Sequence, residues 1–171
     1  MRLAFVAIVA VVAAGCDASP LAVQSDQPGA SAGLPGGPPV GGLLSCSALP
    51  RDSATVVVGS EGGILQVGPH VLSVPAGALD GPVAITAVLV PEPVNRVRFA
   101  PAGLAFREAA SLTMSYANCG VLATLWPKQI AYVEDDDGGL AILELIASTD
   151  DLLARRVTGG ITHFSSYAIA W

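Results

Sequence analysis

From residue 53 onward the chain is a succession of short apolar runs cut by turn signals, and no stretch carries a long helical period. β-rich runs fall at 55–58, 64–67, 70–74, 83–90, 94–99, 111–116, 130–134, 140–146 and 161–170. Within them side chains alternate. Leu112, Met114 and Tyr116 stand against Ser111, Thr113 and Ser115, and Val97 and Phe99 against Arg96 and Arg98. A period of two turns one face of a strand to a core and the other to water. Many short strands so spaced predict an all-β fold, an antiparallel β-sandwich. The one helical expectation is a short turn over 149–155.

Val74-Pro75-Ala76-Gly77-Ala78-Leu79 shows how such strands end. Pro75 has no N–H and a fixed φ, so regular pairing stops there. Gly77 then permits a sharp turn before Leu79 returns to the core.

Upstream, Arg2 is followed by an unbroken apolar run, the twelve residues from Leu3 to Ala14. That is short of the ~20 residues a bilayer span needs, and suits the hydrophobic part of a secretory signal. The run closes in Ala13-Ala14-Gly15-Cys16. This resembles the lipobox of bacterial lipoproteins, although the Leu usual three residues before the cysteine is replaced by Ala13. The resemblance implies cleavage before Cys16 and a lipid on its thiol. An exported protein held on the cell envelope through Cys16 is expected, with the choice of membrane left open. Of three cysteines, lipid on Cys16 leaves Cys46 and Cys119 to pair in an oxidising compartment.

Between Asp17 and about Pro50 no period of two or 3.6 residues is visible. Gly and Pro recur, and no charge occurs between Asp26 and Arg51. Such a segment cannot bury enough apolar surface to offset its ordering entropy, so a disordered, flexible Gly/Pro-rich tether is expected. Leu43 and Leu44 mark where it begins to dock. The expected organisation is a signal peptide over 1–15, lipidated Cys16 and linker over 16–52, and a sandwich over 53–171.

Composition excludes several functions. The chain is acidic (net charge −6), and its seven Arg and one Lys form no basic patch, which argues against nucleic acid as a partner. Two histidines, His70 and His163, do not make a metal site, and neither a G-x-S-x-G elbow nor a phosphate-cradling glycine loop is present. No cofactor and no metal are expected. The acidic run Glu134-Asp135-Asp136-Asp137-Gly138-Gly139 lacks EF-hand spacing and reads as a solvated hairpin turn rather than a calcium loop.

Five pieces occur in an order that resembles the ZU-five domain of zonula-occludens, ankyrin and netrin-receptor proteins. They are Gly62-Gly63-Ile64-Leu65, the Val74–Leu79 stretch, Phe99-Ala100-Pro101-Ala102-Gly103-Leu104-Ala105-Phe106, Ser111-Leu112-Thr113-Met114-Ser115-Tyr116 and His163-Phe164-Ser165-Ser166-Tyr167-Ala168. They cover roughly 59–171. The resemblance implies a sandwich used as a binding or docking module. No companion death domain is present in the sequence, so no signalling role carries over.

The resemblance also implies a possible reaction. Some animal relatives cut their own chain between the Phe and Ser of this tripeptide, the Ser hydroxyl attacking the preceding carbonyl with the His as base. Carried onto this chain, that is an autoproteolytic domain cleaving between Phe164 and Ser165. The competing reading has His163 and Ser165 hydrogen-bonded across the last strand while Phe164 packs, and the chain intact. The expectation is accordingly a non-enzymatic, monomeric, lipid-anchored envelope protein. It would display its sandwich to an envelope protein or glycan, with self-cleavage as the alternative and a purely structural role still open.

Overall fold

The computed structural model describes residues 42–120, 125–137 and 139–171. The expected signal peptide, Cys16 and most of the tether lie outside these residues. None of the described residues is helical.

The described residues form eleven strands: β1 (Asp52–Val58), β2 (Gly63–Val67), β3 (His70–Val74), β4 (Val83–Leu89), β5 (Arg96–Ala100), β6 (Ala105–Ser115), β7 (Gln129–Asp136), β8 (Gly139–Ile146), β9 (Ser148–Asp151), β10 (Arg156–His163) and β11 (Ser166–Ala170). They form a six-stranded sheet ordered β1-β4-β5-β11-β7-β8 and a five-stranded sheet ordered β2-β3-β6-β10-β9. Every named pairing is antiparallel. The fold is the expected antiparallel β-sandwich.

Alternation builds the core. Leu65 and Val67, Leu72 and Val74, and Leu112 and Met114 point inward from one sheet. They meet Ile85, Ala87 and Leu89, Val97 and Phe99, and Tyr167 and Ile169 from the other. At roughly 25 cal/mol per Å² of buried apolar surface, these facing rows are the main stabilising contribution.

The structure corrects four expectations. The run 161–170 is not one strand. It breaks at Phe164-Ser165, so that β10 belongs to the five-stranded sheet and β11 to the middle of the six-stranded one. The helical turn over 149–155 is instead β9 followed by a turn. Four register pairs with β10 claim the backbone of β9, and Asp151 Oδ1 accepts the N–H groups of Leu153 and Ala154 to close the turn. Arg96 does not face water like Arg98; it is 4% exposed, held by Glu92 (2.5 Å) and Asp135 (2.7 Å) on the outer side of β5. Asp135 is therefore tied to Arg96 and Arg98 rather than purely solvated, although the acidic run does form the β7–β8 hairpin, with Asp136 opposite Gly139.

Packing also extends upstream of Ser53, which lies inside β1. Leu44 is buried, Leu43 bridges Ala170, and Ser45 bridges Val94. Cys46 and Cys119 are joined as a disulfide. This segment continues the six-stranded sheet along β11 where β5 stops, through Leu44 N–H to Ile169 O (2.8 Å) and Trp171 N–H to Gly42 O (3.1 Å).

Strand directions give the sandwich two distinct ends. The end called proximal here holds Gly42, Trp171, the disulfide, the residues before β7 and the β9–β10 turn. The opposite, distal end holds the β10–β11 corner, the β1–β2 turn, the loops after β3 and β5, and the β7–β8 hairpin.

Candidate functional site

Four of the five pieces that carry the family resemblance place turns or corners at the distal end, and their backbones interlock. The β1–β2 turn closes through Gly62 N–H to Gly59 O at 3.1 Å. Gly62 has φ 79°, and a Cβ there would lie 2.8 Å from the Pro75 carbonyl carbon, so only glycine lets this turn press on the chain leaving β3. Gly77 (φ 83°) donates its N–H to Ser60 O at 2.8 Å, and Ala78 and Leu79 then return to the core. Ala78 O accepts the Arg107 N–H (3.0 Å), which ties this loop to β6.

The loop between β5 and β6 contains a cis Ala100–Pro101 bond and Gly103 at φ 77°. It grips the β10–β11 corner from both sides. Phe164 N–H donates to Leu104 O (2.8 Å), Gly103 N–H donates to Phe164 O (3.0 Å), and Phe99 N–H donates to Ser165 O (3.0 Å). These bonds satisfy a backbone that has left one sheet and not yet joined the other, as buried main chain requires.

The side chains of the tripeptide diverge. Phe164 is buried, stacked on Phe99 at 5.2 Å between centroids and edge-on to Phe106 at 4.8 Å. The His163 imidazole lies edge-on to the Tyr132 ring at 5.1 Å and near Tyr167. Tyr167 Oη donates to His163 O at 2.6 Å, and burial raises its phenol pKa, with Tyr132 and Glu144 adding to the rise. His163 O accepts from Tyr167 Oη and Ser165 O from Phe99 N–H while Phe164 packs in the core, and no hydrogen bond joins His163 to Ser165 among the described residues. Chemically, the Phe164 carbonyl has a donor aimed at its oxygen, which is one part of what an acyl transfer uses. A base on the Ser165 hydroxyl, the second part, is not in place.

At the distal end Val57 and Ile64 stand exposed beside the β1–β2 turn, while the loops after β3 and β5 offer mostly small residues to solvent. Ala76, Gly77, Pro101, Ala102 and Gly103 are exposed, with an Arg107–Asp80 ion pair beside them. An exposed ion pair of this kind contributes little to stability. An open depression of 220 Å³ adjoins the hairpin, lined by Asp136, Gly139, Leu140 and Ala141. Among the described residues no three His, Cys, Asp or Glu side chains converge where a metal ion could sit.

The proximal end carries polar groups that the sequence did not flag. His70 is buried, accepts the Ser115 N–H on Nδ1 (3.1 Å), and has no partner for Nε2 among the described residues; burial pushes its pKa down to about 4. Asn95 is buried too and donates to Ser115 O and Asn118 Oδ1, each at 2.8 Å, beside the Cys46–Cys119 bridge. Tyr116 donates to Asp150 Oδ1 (2.6 Å), and Lys128 and Arg155 lie against its ring at 5.8 and 5.9 Å. Burial, more than Asp150, raises the Tyr116 pKa. Burial lowers that of Lys128, whose ammonium donates to Trp126 O. Among the described residues, Cys46 and Cys119 are the predicted site residues that a side-chain covalent bond joins.

No protein-family model matches this chain, and no curated protein matches it.

Proposed function

We propose that this chain is a lipid-anchored protein of the bacterial cell envelope. Through Cys16 it is held on a membrane, and it displays a non-catalytic sandwich of the ZU-five type as a docking module for an envelope protein or glycan. The observation that carries this reading is the segregation of the two ends. The chain from Cys16 enters the sandwich at Gly42, beside Trp171, whereas the turns and loops of the resembling motifs lie together at the opposite end. A module held from one end presents the other.

The exposed, side-chain-poor loops around Ala76 and Ala102 suit close backbone approach by a partner. Capture from envelope extract by the wild-type chain and by an Ala76→Arg/Ala102→Arg variant tests the reading. A partner retained by the former and lost by the latter supports it, and equal capture by both overturns it.

A second reading, self-cleavage between Phe164 and Ser165, is favoured by one feature, the Gly103 N–H aimed at the Phe164 carbonyl oxygen. It is opposed by the imidazole of His163, which is turned onto Tyr132. A Ser165→Ala-sensitive break in the purified chain would establish it.

A further inference from the structure

The proximal end exposes large apolar side chains in two places. Leu125 is 61% and Trp126 38% exposed just before β7, and Leu152 is 51% and Leu153 99% exposed in the β9–β10 turn. Both places are anchored to one hub. Lys128 N–H donates to Asp150 Oδ2 (2.8 Å) and its ammonium to Trp126 O, while Tyr116 Oη reaches Asp150 and Asp151. Asp151 in turn holds the N–H groups of Leu153 and Ala154, so the leucines project from a built turn. Leu125, Leu152 and Leu153 stand outward and Trp126 is partly exposed, where such side chains are usually buried.

We propose that these two apolar tips form a membrane-contacting surface that dips into the interfacial region of the bilayer. This deepens the anchoring reading above and rests on it for the tether. The occupant follows from where the chain enters. The sequence upstream of Gly42 joins the sandwich at this same end, next to Trp171, and only 26 positions separate residue 42 from Cys16. A lipid on Cys16 therefore makes contact between this end and the bilayer an intramolecular event, for which a small apolar patch suffices.

The residue types fit. Tryptophan settles at the headgroup level, and leucines supply the buried apolar area. Charge does not oppose the contact. Around the β9–β10 turn Arg155 and Arg156 balance Asp150 and Asp151, with Lys128 buried behind them, in a chain whose net charge is −6. Held this way, the distal loops face away from the membrane.

The test uses the chain from residue 16 onward, with an N-terminal histidine tag holding it to nickel-lipid vesicles of phosphatidylethanolamine and phosphatidylglycerol. Trp171→Phe leaves Trp126 as the only tryptophan. On tethering, Trp126 emission shifts to the blue and is quenched by lipids brominated on their acyl chains. Leu152→Asp with Leu153→Asp abolishes both effects at unchanged melting temperature. Unchanged Trp126 emission on tethering overturns the proposal, as does quenching that survives the aspartates. So does a shift that occurs only when soluble envelope protein is added, which would make this a protein-docking face. The tag replaces the lipid, so failure here is separate from failure of the anchor, which membrane fractionation of the full chain and its Cys16→Ser variant reads on its own.

Discussion

Replacing Cys46 and Cys119 together by alanine probes how the upstream segment is coupled to the sandwich. The bridge spans 73 positions. In the chain-entropy description, opening a loop of that length releases the unfolded state by about 4 kcal/mol. The native state has independent means of holding 42–47. Leu44 N–H bonds Ile169 O, Cys46 N–H bonds Pro93 O at 2.9 Å, and Ser47 N–H bonds Asn118 O at 3.0 Å. Leu44 is also buried against the core.

The double variant should therefore fold with its segment docked, and the loss should act through the unfolded chain. Urea unfolding should give a stability lower by about 4 kcal/mol, with a larger m-value because the released chain exposes more surface. For a domain of this size that is roughly 16 °C in melting temperature at about 4 °C per kcal/mol. A variant within about 1 kcal/mol of wild type, with an unchanged m-value, would refute the reasoning.

Two further outcomes follow from the packing. Phe164→Ala removes the ring that Phe99 and Phe106 enclose and should cost about 3–5 kcal/mol in urea unfolding, whereas a loss below about 1 kcal/mol would mean that the corner does not depend on it. His70 is buried neutral with its pKa pushed down to about 4, so in acid the unfolded chain binds a proton that the folded chain refuses. Its contribution is complete above about pH 6.5 and falls as pH drops toward 4, by about 3 kcal/mol in all. Unfolding measured across that range should lose this slope in His70→Gln, and identical profiles would contradict the assignment.

The strands were legible because alternation is local. Leu112, Met114 and Tyr116 face inward whatever the neighbours are, and Pro75 with Gly77 ends β3 by backbone chemistry alone. Pairing of Cys46 with Cys119 was legible by count, once Cys16 was set aside. The β10–β11 corner was not, because no Gly or Pro interrupts 161–170. Its break comes from bonds to Leu104 and Gly103 and from a pocket made by Phe99 and Phe106, all distant in sequence. Arg96 was misread for the same reason. Its alternation with Val97 is real, but Asp135 from β7 closes over it together with Glu92, four residues upstream. β9 was hidden by Asp150 and Asp151: Asp151 closes the local turn after it, and the role of Asp150 at Tyr116 is tertiary. At the distal end each turn could be read singly, but not that the turns converge.

Intact mass spectrometry of the protein extracted from membranes tests the account most directly. Lipid-anchored, uncleaved display predicts one covalent chain that begins at Cys16, carries the added mass of acyl groups on that residue, and runs unbroken through Phe164-Ser165 to Trp171. An unmodified chain starting elsewhere would contradict the anchor, and a break after Phe164 would contradict the non-catalytic module.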